Sequence, residues 1–170
     1  MADADVVYHG YQRQAGGSVI TIEDAGGATA GMVRHVVKHS PTGMGWGYAG
    51  SGPTDCARSL LIAALGDAAR CPACAGTGKV AYRPGDGEEP PLAPYDPATS
   101  PAEYQAAGLK ATRCQHWDCD EGYVRLPYQD FKFQFVTGWD REWRISRQKI
   151  LQWLTRHDPG HTPPMPRSGA

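Results

Sequence analysis

Four of the five cysteines in this chain stand in two pairs, Cys71-Pro-Ala-Cys74 and Cys114-Gln-His-Trp-Asp-Cys119, and glycine follows each pair closely. Two residues between cysteines put both thiols on one tight turn, about a tetrahedral edge apart, and glycine lets the backbone fold back past the sulfurs. Brought together, the two turns offer four soft ligands, a set that suits zinc or an iron–sulfur cluster. One structural Zn²⁺ is therefore expected, held by Cys71, Cys74, Cys114 and Cys119. The wider second spacing leaves room for His116 to replace one thiolate. A disulfide would require an oxidising compartment, and unliganded thiols are the remaining alternative. Four protein ligands leave no position for water, which disfavours a catalytic metal.

Composition bounds the rest. A chain of 170 residues makes one domain, or one domain with an insertion. A net charge of −1 argues against a broadly cationic nucleic-acid binder, though not against a local patch. No apolar run approaches the length of a membrane span, and the opening MADADVVYHG has neither the basic region nor the apolar core of a secretion signal. A cytoplasmic protein with no membrane partner is expected.

Periodicity divides the chain. Val6–Tyr8 and Ser18–Ile22 are β-branched runs separated by Gly16-Gly17, which predicts a hairpin. A third strand is expected over Met32–Lys38, from Val33, Val36 and Val37. A glycine-rich loop, Ser40–Pro53, leads into a helix over Thr54–Leu65, with Thr54 or Asp55 as its cap and Leu60, Leu61, Ala64 and Leu65 as its buried stripe. Residues 71–124 read as an insertion bounded by the two cysteine turns. Pro84, Pro90, Pro91, Pro94, Pro97 and Pro101 argue against a regular core there, apart from a short helix near Ala102–Leu109. Pro127–Gly138 fits a strand through the alternation of Phe131, Phe133 and Phe135, or a helix with Tyr128, Phe131 and Phe135 on one face; the helix is preferred. Trp143–Ile145 is a short strand, and Ser146 caps a last helix with Ile145 placed against Ile150. The proline-rich tail over 158–170 is expected to be disordered.

Two resemblances follow from particular strings. CPACAGTGKV resembles one CxxCxGxG repeat of the DnaJ-type cysteine-rich zinc domain, in which two repeats hold one zinc; the second segment, with its wider spacing and CDEGYV, matches less well. The chaperone's His-Pro-Asp turn is absent, so the resemblance implies the zinc site and not chaperone activity. Separately, His39-Ser-Pro-Thr-Gly-Met-Gly-Trp-Gly-Tyr-Ala-Gly-Ser-Gly-Pro53, with the Phe131…Trp143-Arg-Ile…Ile150…Trp153-Leu pattern, is similar to an uncharacterised small domain family of bacteria, archaea and their viruses. That resemblance implies a small α+β domain interrupted by a zinc loop, and a phage-associated protein acting in its host's cytoplasm.

Other motifs carry two readings each. Gly45–Gly50 matches GxGxxG formally, but polar Lys38-His-Ser-Pro41 precedes it where a dinucleotide fold needs a buried strand. Gly50, Ser51 and Gly52, ahead of a helix, could hold an anion on their N–H groups, or could simply make room for Trp46 and Tyr48. Cys56 could be an activated thiol with His35 or His39 as base, or a small core residue on the face of Leu60. Arg141, Arg144, Arg147 and Lys149, interleaved with tryptophans, could bind nucleic acid or line the wet face of a helix.

The expectation is an α+β fold, a small antiparallel sheet packed with two or three helices. Its parts are 1–70 and 125–157, interrupted by a zinc-clipped, proline-rich insertion over 71–124. No catalytic set is identified. The expected activity is non-enzymatic: binding another protein, such as a host protein, through the zinc loop. Nucleic-acid binding through the zinc turn and the Arg/Trp-rich C-terminal region is the alternative.

Overall fold

The first hairpin forms where β-branched runs meet a glycine pair. In the computed structural model, which describes residues 6–85 and 92–162, strands β1 (Val7–Gln12) and β2 (Ser18–Glu23) pair antiparallel from Val7↔Glu23 to Gln12↔Ser18. The connection closes through Arg13 N–H to Gly17 O (3.0 Å), with Gly16 and Gly17 at φ of +86° and +90°, a backbone region that glycine enters without strain. Strand β3 (Thr29–Met32) adds to β2. The third strand expected over Met32–Lys38 thus lies further back and ends at Met32. Its intended apolar half is tied to a helix instead: Val36 donates its N–H to Ser59 Oγ (2.9 Å), and the next residues go to Asp55.

Helix α1 (Ser51–Leu65) starts earlier than the sequence suggests, with Gly50 rather than Thr54 or Asp55 at its cap position. Thr54 turns its hydroxyl to Gly50 O (2.8 Å). Asp55 lies inside the helix, fully buried, and accepts N–H from Lys38 (3.1 Å), His39 (2.9 Å) and Ser40 (3.0 Å) and from His35 Nε2 (2.9 Å). Those loop amides have no strand to pair with, so one carboxylate satisfies them. Cys56, Leu60, Leu61 and Ala64 are wholly buried beside it, as the stripe predicts.

Packing separates Ala69–Arg125 from the rest as a compact unit of its own. It contains more regular structure than its prolines suggest. Strand β4 (Lys79–Tyr82) lies between β5 (Leu92–Pro94) and β6 (Lys110–Arg113), antiparallel to both. Helix α2 (Pro101–Ala106) stands between β5 and β6 in sequence, started by a capping box in which Ser100 Oγ accepts Glu103 N–H (3.2 Å) and Glu103 Oε2 accepts Ser100 N–H (2.8 Å). Two short strands, β7 (Cys119–Asp120) and β8 (Tyr123–Val124), complete it. Pro90 and Pro91 lie outside the described residues.

The other unit resumes at Leu126 with α3 (Tyr128–Gln134), resolving the helix-or-strand ambiguity for helix. Phe131 and Phe135 meet at 4.9 Å between ring centroids, one turn apart, while Phe133 is 63% exposed. Strand β9 (Trp143–Ser146) pairs with β1, giving the four-stranded antiparallel order β3-β2-β1-β9. Trp143 lies over Gly10, where an added Cβ would sit 2.2 Å from its ring, and stacks on Trp139 at 3.9 Å. Ser146 caps α4 (Arg147–His157) by accepting Lys149 N–H (3.1 Å), and Ile145 and Ile150 are both buried. Helices α3 and α4 meet through Phe131 and Trp153, with the Trp153 indole N–H on Gln134 Oε1 (2.7 Å). The fold class is α+β, as expected. Asp158–Thr162 closes as a turn, Thr162 Oγ1 donating to Asp158 O (2.9 Å); the remainder of the expected disordered tail, 163–170, lies outside the described residues.

Candidate metal centre

The two cysteine turns close on each other by a reciprocal pair of backbone hydrogen bonds. Cys71 N–H donates to Gly122 O (2.9 Å), and Cys114 N–H donates to Gly78 O (2.8 Å). Each turn thus lends its glycine carbonyl to the first cysteine of the other. An isolated pairing of Arg70 with Tyr123 extends the contact. Left-handed residues bend both chains after the second cysteine: Ala75, Gly76 and Gly78 at φ of +52°, +88° and +71°, then Glu121 and Gly122 at +52° and +101°.

Gly122 is where this geometry has least room. A Cβ there would come within 2.5 Å of Gly76 O and 3.0 Å of Gly78 N, on a backbone at positive φ. Gly122→Ala is therefore expected to part the two turns. A strain of about 1–3 kcal/mol placed on the closed form corresponds to roughly a 5- to 150-fold loss of metal affinity, readable by competition with a chelator.

The result of this closure is a sulfur cage. The four Sγ atoms of Cys71, Cys74, Cys114 and Cys119 all lie within 4.8 Å of one another, with Cys71 to Cys114 at 4.0 Å and Cys74 to Cys119 at 3.9 Å. These separations are about twice an S–S bond. They match the edge of a tetrahedron built on metal–sulfur bonds of about 2.3 Å, which is about 3.8 Å. The set is complete without His116, whose Nδ1 accepts the Asp118 N–H (3.3 Å). These four residues could hold a metal ion.

Backbone N–H groups prepare the Cys74 sulfur for charge. Burial pushes the Cys74 thiol up, but N–H groups of Gly78 and Gly76 directed at its sulfur, with the Cys71 and Cys119 thiols, outweigh it; the net displacement is downward. Cys114 and Cys119 move the other way, because burial raises both and the N–H groups of His116 and Gly122 only partly offset it. Four thiolates this close repel each other, so full ionisation requires a cation at the centre. The cage is also the unit's core: Cys71, Cys74, Val80 and Cys114 form its buried cluster, with Ala73 and Cys119 packed on it.

The other candidate residues are dispersed through the unit formed by the chain before Ala69 and after Arg125. Cys56 is wholly buried, and burial pushes its thiol far up, as befits a small core residue. Gly45 and Gly52 lie against the hydroxyl of Tyr48 and Gly50 against its ring, where a Cβ would come within 2.7, 2.5 and 2.9 Å respectively, so this run makes room for an aromatic side chain. Ser51, exposed, opens α1. Arg144 reaches Glu23 Oε2 and Glu142 Oε1 (both 3.4 Å) and His9 Nδ1 (3.1 Å), a cluster that crosses three strands and had no local sequence signal. Arg147 Nε donates to Ala64 O (2.7 Å) at the end of α1. Lys149 lies 5.7 Å from the Phe135 ring centroid, and Arg141 is exposed. No helix among the described residues is long and apolar enough to cross a membrane.

Residues 8–76 match the sequence model of a family of unknown function (DUF6166), a span that takes in the glycine-rich loop and the first cysteine turn. It fits the uncharacterised small domain that the Trp46–Pro53 string suggests. No curated protein and no solved structure matches the chain.

Proposed function

We propose that Cys71, Cys74, Cys114 and Cys119 hold one structural Zn²⁺, and that the protein is a non-enzymatic recognition module that binds another protein through the metal-pinned segment 71–124. The observation that carries the reading is the sulfur cage, whose 3.9 and 4.0 Å separations suit tetrahedral Zn–S₄. With all four positions taken by thiolate, bound zinc supplies cross-linking and charge neutralisation rather than an activated water. The docking element is Trp117. It stands between the ligands Cys114 and Cys119, is 79% exposed, and has its carbonyl fixed by Arg125 Nε (3.0 Å). A rigidly mounted, solvent-facing tryptophan is a costly thing to leave on a surface, and such residues anchor protein interfaces. On this reading the protein is phage-associated, works in its host's cytoplasm, and engages a host protein; the similarity of the Trp46–Pro53 string to a family that includes viral members supports that part.

The test is affinity capture from host-type lysate with nuclease present, followed by reconstitution from purified components. A partner that survives nuclease, rebinds when purified, and is lost at least about tenfold on Trp117→Ala with zinc content unchanged supports the reading. Binding that is unaffected by both Trp117→Ala and Cys71→Ser contradicts it.

A further inference from the structure

The three-stranded sheet of Ala69–Arg125 has two unlike faces. Val80 packs into the sulfur cluster, so alternation along β4 turns Lys79 and Ala81 to the other side. The register pairs Lys79 with Arg113 and Ala81 with Ala111, and residues directly opposite each other share a face. Lys79 and Arg113, both exposed, therefore stand side by side across β4 and β6, and neither has a carboxylate partner among the described residues. Like charges directly opposite destabilise a strand pair, and the fold leaves this pair uncompensated.

A cleft of about 430 Å³ opens on the same face, between Ala111 and α2, with Lys79 in its lining. Pro101, Leu109 and Ala111 give it apolar walls, and no described carboxylate lines it. The nearby acids are committed locally: Asp96 accepts Ala98 N–H (2.8 Å) and Glu103 accepts Ser100 N–H (2.8 Å). The Tyr95 ring is already covered, by Tyr104 at 5.0 Å between centroids and by Lys79 Nζ at 5.4 Å. That contact holds the ammonium at the cleft and leaves Tyr95 no free face for stacking.

We infer that this face binds an acidic, apolar peptide segment of a protein partner, with an apolar side chain in the cleft and a flanking carboxylate on the Lys79–Arg113 pair. This rests on the reading of 71–124 as a protein-docking segment and gives the chemistry of what docks there. The cleft has the size of a site for a large side chain, and a carboxylate between the two cations removes their repulsion. The pair also selects by sign, since a basic or neutral segment fills the cleft and leaves both cations uncompensated. A nucleic-acid strand suits the face less well. Its phosphates would meet the cations, but its bases would find no Tyr95 face and the apolar walls would stay unused. Trp117 does not line this cleft.

The experiment uses the full chain with its metal in place and, as probe, a surface-displayed library of random peptides. Selection should enrich sequences in which Leu, Ile, Met or Phe is flanked by Asp or Glu. A selected peptide, made synthetically, should shift the amide NMR signals of Lys79, residues 108–111 and Arg113. Replacing its acids by their amides, or combining Lys79→Ala with Arg113→Ala in the protein, should each weaken binding by at least about tenfold. Both side chains are exposed and repel each other, so the double variant should retain its circular dichroism and its metal. Trp117→Ala should leave the peptide affinity unchanged. A peptide that binds the cleft while capture finds no Trp117-dependent partner would thus sink the Trp117 reading alone. The cleft assignment is overturned if selection enriches nothing, if the enriched peptides lack acids or shift residues elsewhere, or if only an oligothymidylate occupies the cleft.

Discussion

Cys71→Ser is expected to strip the metal and unfold Ala69–Arg125, while the four-stranded sheet and its helices stay folded. The unit's buried cluster consists of Cys71, Cys74, Cys114 and Val80, so the sulfurs that could hold an ion make up most of that cluster. Beyond that cluster the only apolar side chains that the described part of the unit buries are small, Ala69, Ala81 and Val124, while β5 and β6 are exposed along their length and α2 buries no residue. A unit of this size rarely folds on apolar burial alone, and structural zinc commonly contributes about 10–16 kcal/mol of apparent binding free energy at neutral pH. Losing one of four ligands should forfeit most of that. The readouts are metal content, which should fall from one equivalent to near zero, and amide NMR, in which signals from 69–125 should collapse to random-coil positions while those of β1, β2 and β9 persist. Because thiolate is the ligand, acid should release the metal as well, and chelation at neutral pH should reproduce the serine variant. Retention of dispersed signals from β4 and β6 in Cys71→Ser would show that the unit does not depend on the cage.

The second large effect belongs to Asp55. Its carboxylate, wholly buried, is the acceptor for three consecutive backbone N–H groups, Lys38 to Ser40, and for His35 Nε2. Asp55→Ala leaves those amides without an acceptor in the interior. At about 1–3 kcal/mol for each buried donor left unsatisfied, with partial relaxation, a loss of about 3–5 kcal/mol is expected. For a unit of this size that is a drop in Tm of about 10–20 °C by calorimetry. The pH dependence has a definite sign. Burial pushes the Asp55 carboxyl up, but the hydrogen bonds from His35, Lys38, Ser40 and His39 outweigh it and hold the acid below its usual value. A carboxyl lowered on folding contributes stability that is complete above the unfolded value of about 3.9 and is lost as pH falls through the folded one. The acid-unfolding limb below about pH 4 should therefore flatten in Asp55→Ala relative to the parent. A limb of unchanged steepness, or a Tm within about 2 °C of the parent, would remove Asp55 from this role.

What the sequence made legible follows from range. The first hairpin was readable because β-branched residues and Gly16-Gly17 are neighbours, and the cage because a Cys–Pro–Ala–Cys turn is set by four consecutive residues. The ends of α1 and of the third strand were not readable, since both depend on Asp55 meeting amides of the preceding loop. Val33, Val36 and Val37 have strand composition, but Val36 is committed to Ser59 and cannot join a ladder. Likewise β9 is locally unremarkable until it pairs with β1 and places Trp143 over Gly10. In Ala69–Arg125, the strands were hidden by prolines: Pro94 sits at the end of an edge strand, where its missing N–H costs nothing to the ladder. The stack of Tyr95 on Tyr104 had no motif at all, because the two rings meet only once β4 and β5 pair and α2 is capped.

Everything proposed for Ala69–Arg125 depends on one zinc ion occupying the four-sulfur cage. Purification of the native chain without added metal, followed by elemental analysis and X-ray absorption at the zinc edge, tests it directly. The predicted result is one zinc per chain with four sulfur neighbours at about 2.3 Å. A chain that carries no metal, or a zinc with nitrogen or oxygen among its four neighbours, would contradict it.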